Sequence, residues 1–69
     1  MSKNISTKSL TPQEYFTQGN EFYSSGRYTD ALGAYDNAIR LKPDFADAYY
    51  NKGNTLDDCV LSVNLRNLK

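Results

Sequence analysis

The chain has 69 residues, of which 39% are hydrophobic, enough for one small domain that buries only about 60% of the surface its unfolded form exposes. Eight Lys and Arg balance eight Asp and Glu, so no basic footprint for nucleic acid or an anionic membrane surface is present. The absence of histidine and the single cysteine, Cys59, exclude an internal disulfide, the usual zinc clusters and a His-based catalytic set. No run approaches the roughly 20 apolar residues of a membrane span, and residues 1–10 lack the apolar stretch of a secretory signal. The composition thus predicts a soluble, reducing, cytoplasmic protein without a membrane partner.

Residues 1–10 carry only Ile5 and Leu10 as internal apolar side chains, too little to offset the cost of ordering a backbone, and are expected to be a disordered lead-in. Thr11-Pro12-Gln13-Glu14 then offers a capping hydroxyl, a proline at the first helical position and a glutamate able to reach back to the cap amide. Tyr15, Gly19, Phe22 and Tyr23 follow at helical spacing, and Ser24-Ser25-Gly26 supplies a stop that tolerates the left-handed conformation. The first helix is therefore predicted over 12–25.

Tyr28, Ala31, Leu32, Tyr35, Ala38, Ile39 and Leu41 keep the 3.6-residue period until Pro43, which disfavours helix in the residue before it. This predicts a second helix over 29–41. Asp44 is placed to cap a third helix beginning near Phe45, with Asp47 in its first turn at the positive end of the helix dipole. Taking about 100° per residue, Phe45, Tyr49, Gly53, Leu56, Val60 and Val63 share one face of that helix, the face expected to cover the second helix.

Tyr15, Gly19 and Asn20 return 34 residues later as Tyr49, Gly53 and Asn54, and between them lie Gly26, Tyr28, Ala31, Tyr35, Ala38 and Pro43. This period and these intervals resemble the tetratricopeptide repeat, a helix-turn-helix unit that stacks into solenoids. The resemblance covers residues 12 to about 59, one repeat and the first helix of a second. It implies an all-α, three-helix, right-handed arc, with a TPR-like domain over 11–59. Gly19 and Ala31 are then the small residues where the first two helices cross, with Tyr15, Phe22, Tyr28 and Tyr35 on the flanks. Six tyrosines at such spacing read as packing before they read as a ligand box.

After Asp58 the pattern stops: Val60, Ser62, Leu65 and Lys69 stand where glycine, aromatic, alanine and aromatic would recur. Residues 60–69 form a divergent extension without Gly or Pro, so the third helix is free to run on. Leu61, Leu65 and Leu68 gather on a second face, about 120° from the expected core face. Each buried leucine is worth about 1.5–3 kcal/mol, so covering them matters to so small a domain. Two readings remain open: a self-association seam that makes the chain a homo-oligomer, or the loose end of a truncated or rearranged repeat array.

No catalytic, cofactor or metal site is expected. Asp57 and Asp58 are adjacent and diverge on a helix, so they cannot flank one scissile bond, and Asp30, Asp36, Asp44 and Asp47 lack the spacing of a calcium loop. Acidic neighbours disfavour a reactive Cys59 thiolate, which leaves packing against the second helix. The resemblance implies instead a non-enzymatic scaffold with a protein or peptide partner, held on a concave face lined by the first helix of each repeat. Carried over by alignment, that face holds Gln13, Phe16, Asn20, Tyr23 and Ser24, then Asp47, Tyr50, Asn54, Asp57 and Asp58. Members that grip the C-terminal carboxylate of heat-shock chaperones have asparagines at the places of Asn20 and Asn54, but Phe16 stands where that clamp has lysine and the repeat supplying its other cations has no counterpart. The acids and aromatics of this face favour a basic and apolar peptide segment. The rival class is a structural self-assembling unit that dimerises or swaps through its C-terminal helix.

Overall fold

In the computed structural model, residues 10–67 are described, side chains as far as Val63. They form three helices, α1 (Pro12–Ser24), α2 (Tyr28–Leu41) and α3 (Ala46–Asn67), so the predicted elements match to within a residue or so at each end. Residues 1–9, expected to be disordered, and Leu68 of the leucine seam lie outside the described residues.

The start of α1 follows from four consecutive residues. The Thr11 hydroxyl accepts from the Glu14 amide at 3.1 Å, and the Thr11 amide donates to the Glu14 carboxylate at 2.8 Å, satisfying two helix-end groups reciprocally while Pro12 contributes no amide to be satisfied. Its end is set by Gly26, whose φ of +80° is a left-handed conformation that costs glycine little. With Gly26 so placed, its amide donates to the Tyr23 carbonyl at 3.0 Å and the Arg27 amide to the Phe22 carbonyl at 2.9 Å, the paired bonds of a Schellman stop. The Arg27 guanidinium sits 5.0 Å from the Phe22 ring centre and also pairs with Asp30 at 2.7 Å. Helix α2 thus begins from a residue anchored on both sides of the turn.

Between α2 and α3 the cap is displaced from its expected place. Asp44 falls in the turn, and Phe45 precedes the helix, its carbonyl accepting from the Ala48 and Tyr49 amides at 3.1 and 3.3 Å. Burial explains the shift. The Phe45 ring is buried against Ala38 and Ala48, with Lys42 Nζ 5.0 Å above it, so its position is fixed by packing rather than by an acidic cap.

Helix α2 is the middle of the structure. Ala31, Ala34, Tyr35 and Ala38 are all buried, at spacings of three and four that form one continuous stripe. Three alanines let the neighbouring helices approach closely, and Tyr35, only 1% exposed, fills the space they leave. The expectation that Tyr35 lies on the flank is therefore corrected: it is the central side chain. Its ring occupies the place a side chain at Gly19 would need, since a Cβ there would stand 2.4 Å from Tyr35 Cε1.

Of the core face expected for α3, Phe45 is buried as expected, and the rest is corrected. Tyr49, Leu56, Val60 and Val63 are 51%, 43%, 55% and 45% exposed, and Gly53 has open space around it. Helix α3 meets α2 instead through Ala48 and Thr55, both fully buried, and through a Lys52–Asp36 ion pair at 2.7 Å. The alanine surface of α2 accepts small residues there. The Thr55 hydroxyl donates to the Asn51 carbonyl one turn back at 2.7 Å, so its burial leaves no polar group unsatisfied. A reading by hydrophobicity selects the larger apolar stripe; packing selects the one that fits. Beyond Asp58, α3 continues unbroken to Asn67.

The Gly19 contact has a measurable consequence. Replacing Gly19 by alanine forces the pinned Tyr35 ring to move and is expected to destabilise by about 1–3 kcal/mol. Gly33 is helical, exposed and without neighbours within 4 Å, and its replacement by alanine should stabilise by about 0.5–1 kcal/mol through helix propensity. Urea unfolding followed by circular dichroism measures both, and equal effects at the two sites would contradict the packing described.

Candidate functional site

The face between α1 and α3 is held by a short polar network. Asn20 Oδ1 accepts from the Tyr35 hydroxyl at 2.6 Å and from Asn51 Nδ2 at 2.8 Å, so one side-chain oxygen joins α1, α2 and α3. The Tyr23 hydroxyl donates to the Asp58 carboxylate, giving a second link between α1 and α3. Between these links lies a cleft of about 220 Å³ lined by Asn20, Tyr23, Ser24, Tyr35, Asn51, Asn54 and Thr55.

Of the residues expected on the concave face, Asn20, Tyr23, Ser24 and Asn54 are brought together at this cleft. Phe16 is not presented there as a free side chain. Its ring packs 5.0 Å from that of Phe45 and 5.9 Å from that of Tyr35, centre to centre, and it joins the edge of the hydrophobic core, because an aromatic at this point closes the gap left by Ala38 and Ala48. Gln13, Asp47, Tyr50 and Asp57 are exposed and do not line the cleft. Tyr50 is the most open of them, at 71%.

Three lining residues escape a reading by family alignment: Tyr35, Asn51 and Thr55. Their signal was in the sequence as spacing, because Ala48, Asn51 and Thr55 fall three and four residues apart and so share the side of α3 that faces the other helices. Their polarity gives that side of α3 no apolar signal.

The cleft offers hydrogen bonding rather than charge. The Asn20 carbonyl oxygen is committed to the fold, while among the described residues its Nδ2 has no hydrogen-bond partner and Asn54 is exposed with its whole amide available. Ser24 adds a hydroxyl. No cation lines the cleft, and the nearest lysine on α3, Lys52, is paired with Asp36 on another side of the helix. Such a set holds amide and carbonyl groups of a peptide backbone and lacks the cations that a terminal carboxylate calls for. Among the described residues no group of His, Cys, Asp and Glu could hold a metal ion, and no helix is long and apolar enough to cross a membrane. Leu61 is 57% exposed on α3; Leu65 lies within the helix, but its side chain is outside the described residues.

Both cleft tyrosines hold their protons more firmly than a free phenol. The hydrogen bond to the Asp58 carboxylate raises Tyr23 above 10.0, aided by desolvation and by the negative charge of Asp58. Burial raises Tyr35, partly offset by the neighbouring polar groups of Asn51 and Thr55. A phenol with a raised folded value contributes stability that is fully present below the unfolded value and is lost as pH rises through it towards the folded one. Unfolding free energy should therefore fall above about pH 10, and Tyr23→Phe should make that fall shallower. Urea titrations between neutral pH and pH 11 test this, an unchanged slope in the variant counting against the Tyr23–Asp58 link.

A protein-family model described as TPR repeat matches residues 19–56, which span the end of α1, all of α2 and the first half of α3. No curated protein and no solved structure matches the chain. The matched span takes in Gly19, the Tyr35 that lies on it, the buried alanines of α2 and the returning Gly53 and Asn54, more than half of the chain. The chain belongs to the TPR repeat family, a family of protein–protein interaction modules.

Proposed function

We propose that this chain is a non-enzymatic scaffold that holds an extended peptide across the α1–α3 face, with Asn20 and Asn54 taking the peptide backbone. The observation that carries this reading is the convergence of Asn20, Asn54 and Ser24 on one cleft in which Asn20 is positioned by Tyr35 and Asn51. A side chain held from two directions loses little freedom on binding, which is what preorganisation requires. Asp47 and Asp57 lie exposed beside the strongly exposed Tyr50, so the peptide class that fits is basic and apolar. The interface is small. One repeat and a half presents about half the area of a standard complex, and binding at high micromolar strength is expected unless several units act together.

The test is titration of the labelled protein with an extended peptide of alternating Lys and Leu, followed by amide NMR shifts, with a Glu and Leu peptide as the charge control. Shifts centred on Asn20, Ser24, Asn51 and Asn54, at least threefold weaker binding by the acidic peptide, and loss on Asn54→Leu support the proposal. Shifts absent from the cleft, or equal binding of both peptides, overturn it.

A further inference from the structure

The internal repeat allows α1 and α3 to be compared position by position, and the two ends of the structure prove to be different. On α1, Tyr15 and Phe22 are partly buried and Gly19 is buried against Tyr35 of α2. Their counterparts 34 residues on, Tyr49, Gly53 and Leu56, are all exposed. The stripe continues through Val60 and Val63, each about half exposed, and Ala46 lies at its start. A close-approach glycine and four large apolar side chains thus stand uncovered on one face of α3.

The opposite end of the structure is finished differently. Ala48, Asn51, Lys52 and Thr55, the residues that α3 turns towards α2, correspond on α1 to Glu14, Thr17, Gln18 and Glu21, all four exposed. Seating the apolar face of α3 against that surface in a head-to-tail contact would bury two carboxylates without a cation, which is strongly unfavourable. The unit is therefore closed by polar residues at its α1 end and open at its α3 end. A contact between copies that uses only the open end is isologous, with a two-fold axis, and it closes at the dimer.

We propose that the exposed face of α3 is a homodimer interface, with the α3 helices of two copies packed antiparallel about an axis passing between Gly53 and Leu56. The spacing of the stripe fits this arrangement at each level. Gly53 falls opposite the partner's Leu56, Ala46 opposite the partner's Val63, and Tyr49 opposite the partner's Val60. Large side chains thereby meet small or medium ones along the seam, as close packing between helices requires. The pairing covers on the order of 1,000 Å² in total, at the lower edge of specific interfaces, so the dimer is a reversible one. This face does not include Leu61, and it leaves the α1–α3 cleft free, so the dimer stands or falls independently of peptide binding.

Sedimentation velocity across low to high micromolar concentration reads the association, and Val60→Lys and Leu56→Glu read the face. Both residues are about half exposed, so helical circular dichroism should be retained. The expected result is a shift from monomer to dimer with concentration, abolished by either substitution. In a Cys59→Ser background, Tyr49→Cys with Val60→Cys should give a disulfide-linked dimer on oxidation, whereas Leu61→Cys, exposed on another side of α3, should not. A wild-type chain that stays monomeric at high micromolar concentration overturns the proposal, as does a dimer that survives Val60→Lys or is trapped through Leu61→Cys alone.

Discussion

Tyr35 lies with its ring against the bare backbone of Gly19 and its hydroxyl on the Asn20 side-chain oxygen, and the other contacts of the molecule are arranged around that side chain. A buried tyrosine is stable only where its hydroxyl finds a partner, and Asn20 supplies it one residue beyond the glycine that makes room for the ring. The same Asn20 oxygen accepts from Asn51, so the position of α1 on α2 and that of α3 on both are coupled through two neighbouring residues. In a domain this small, with few large buried side chains, such coupling substitutes for a thick hydrophobic core.

The α1–α3 cleft inherits its form from this packing. Asn20 is held by the fold through its oxygen and faces the cleft with its amide donors, while Asn54, the repeat-related residue on α3, has no such anchor and remains exposed. One asparagine is thus positioned and the other free, an arrangement that suits the peptide-holding role proposed for the cleft. The Tyr23–Asp58 link engages one carboxylate of α3, while Asp47 and Asp57 stay exposed outside the cleft.

Much of this was legible beforehand where a residue type has one dominant physical use. The capping residues Thr11 to Glu14, the left-handed stop at Gly26 and the break at Pro43 set the helix limits locally, and the structure follows them closely. Phe16 and the stripe on α3 were not legible in the same way. An aromatic on a first helix serves as readily in the core as in a groove, and a helix with two candidate faces, one apolar and large, the other small and polar, does not declare which one meets its neighbour. Hydrophobicity favours Tyr49, Leu56 and Val60; the alanine surface of α2 admits Ala48 and Thr55. The larger stripe therefore does not make the contact its hydrophobicity leads one to expect.

The amino-acid sequence by itself determined the helices, their order and the family, because capping, left-handed glycine and a 34-residue period act within a few residues of chain or recur along it. Only the tertiary structure decided the orientation of α3, the role of Phe16 and the sharing of the Asn20 oxygen. Each of these depends on shape and hydrogen-bond complementarity between residues far apart in the chain, Tyr35 with Gly19 and Asn20 with Asn51, and no local preference encodes which of two acceptable faces will find the better fit.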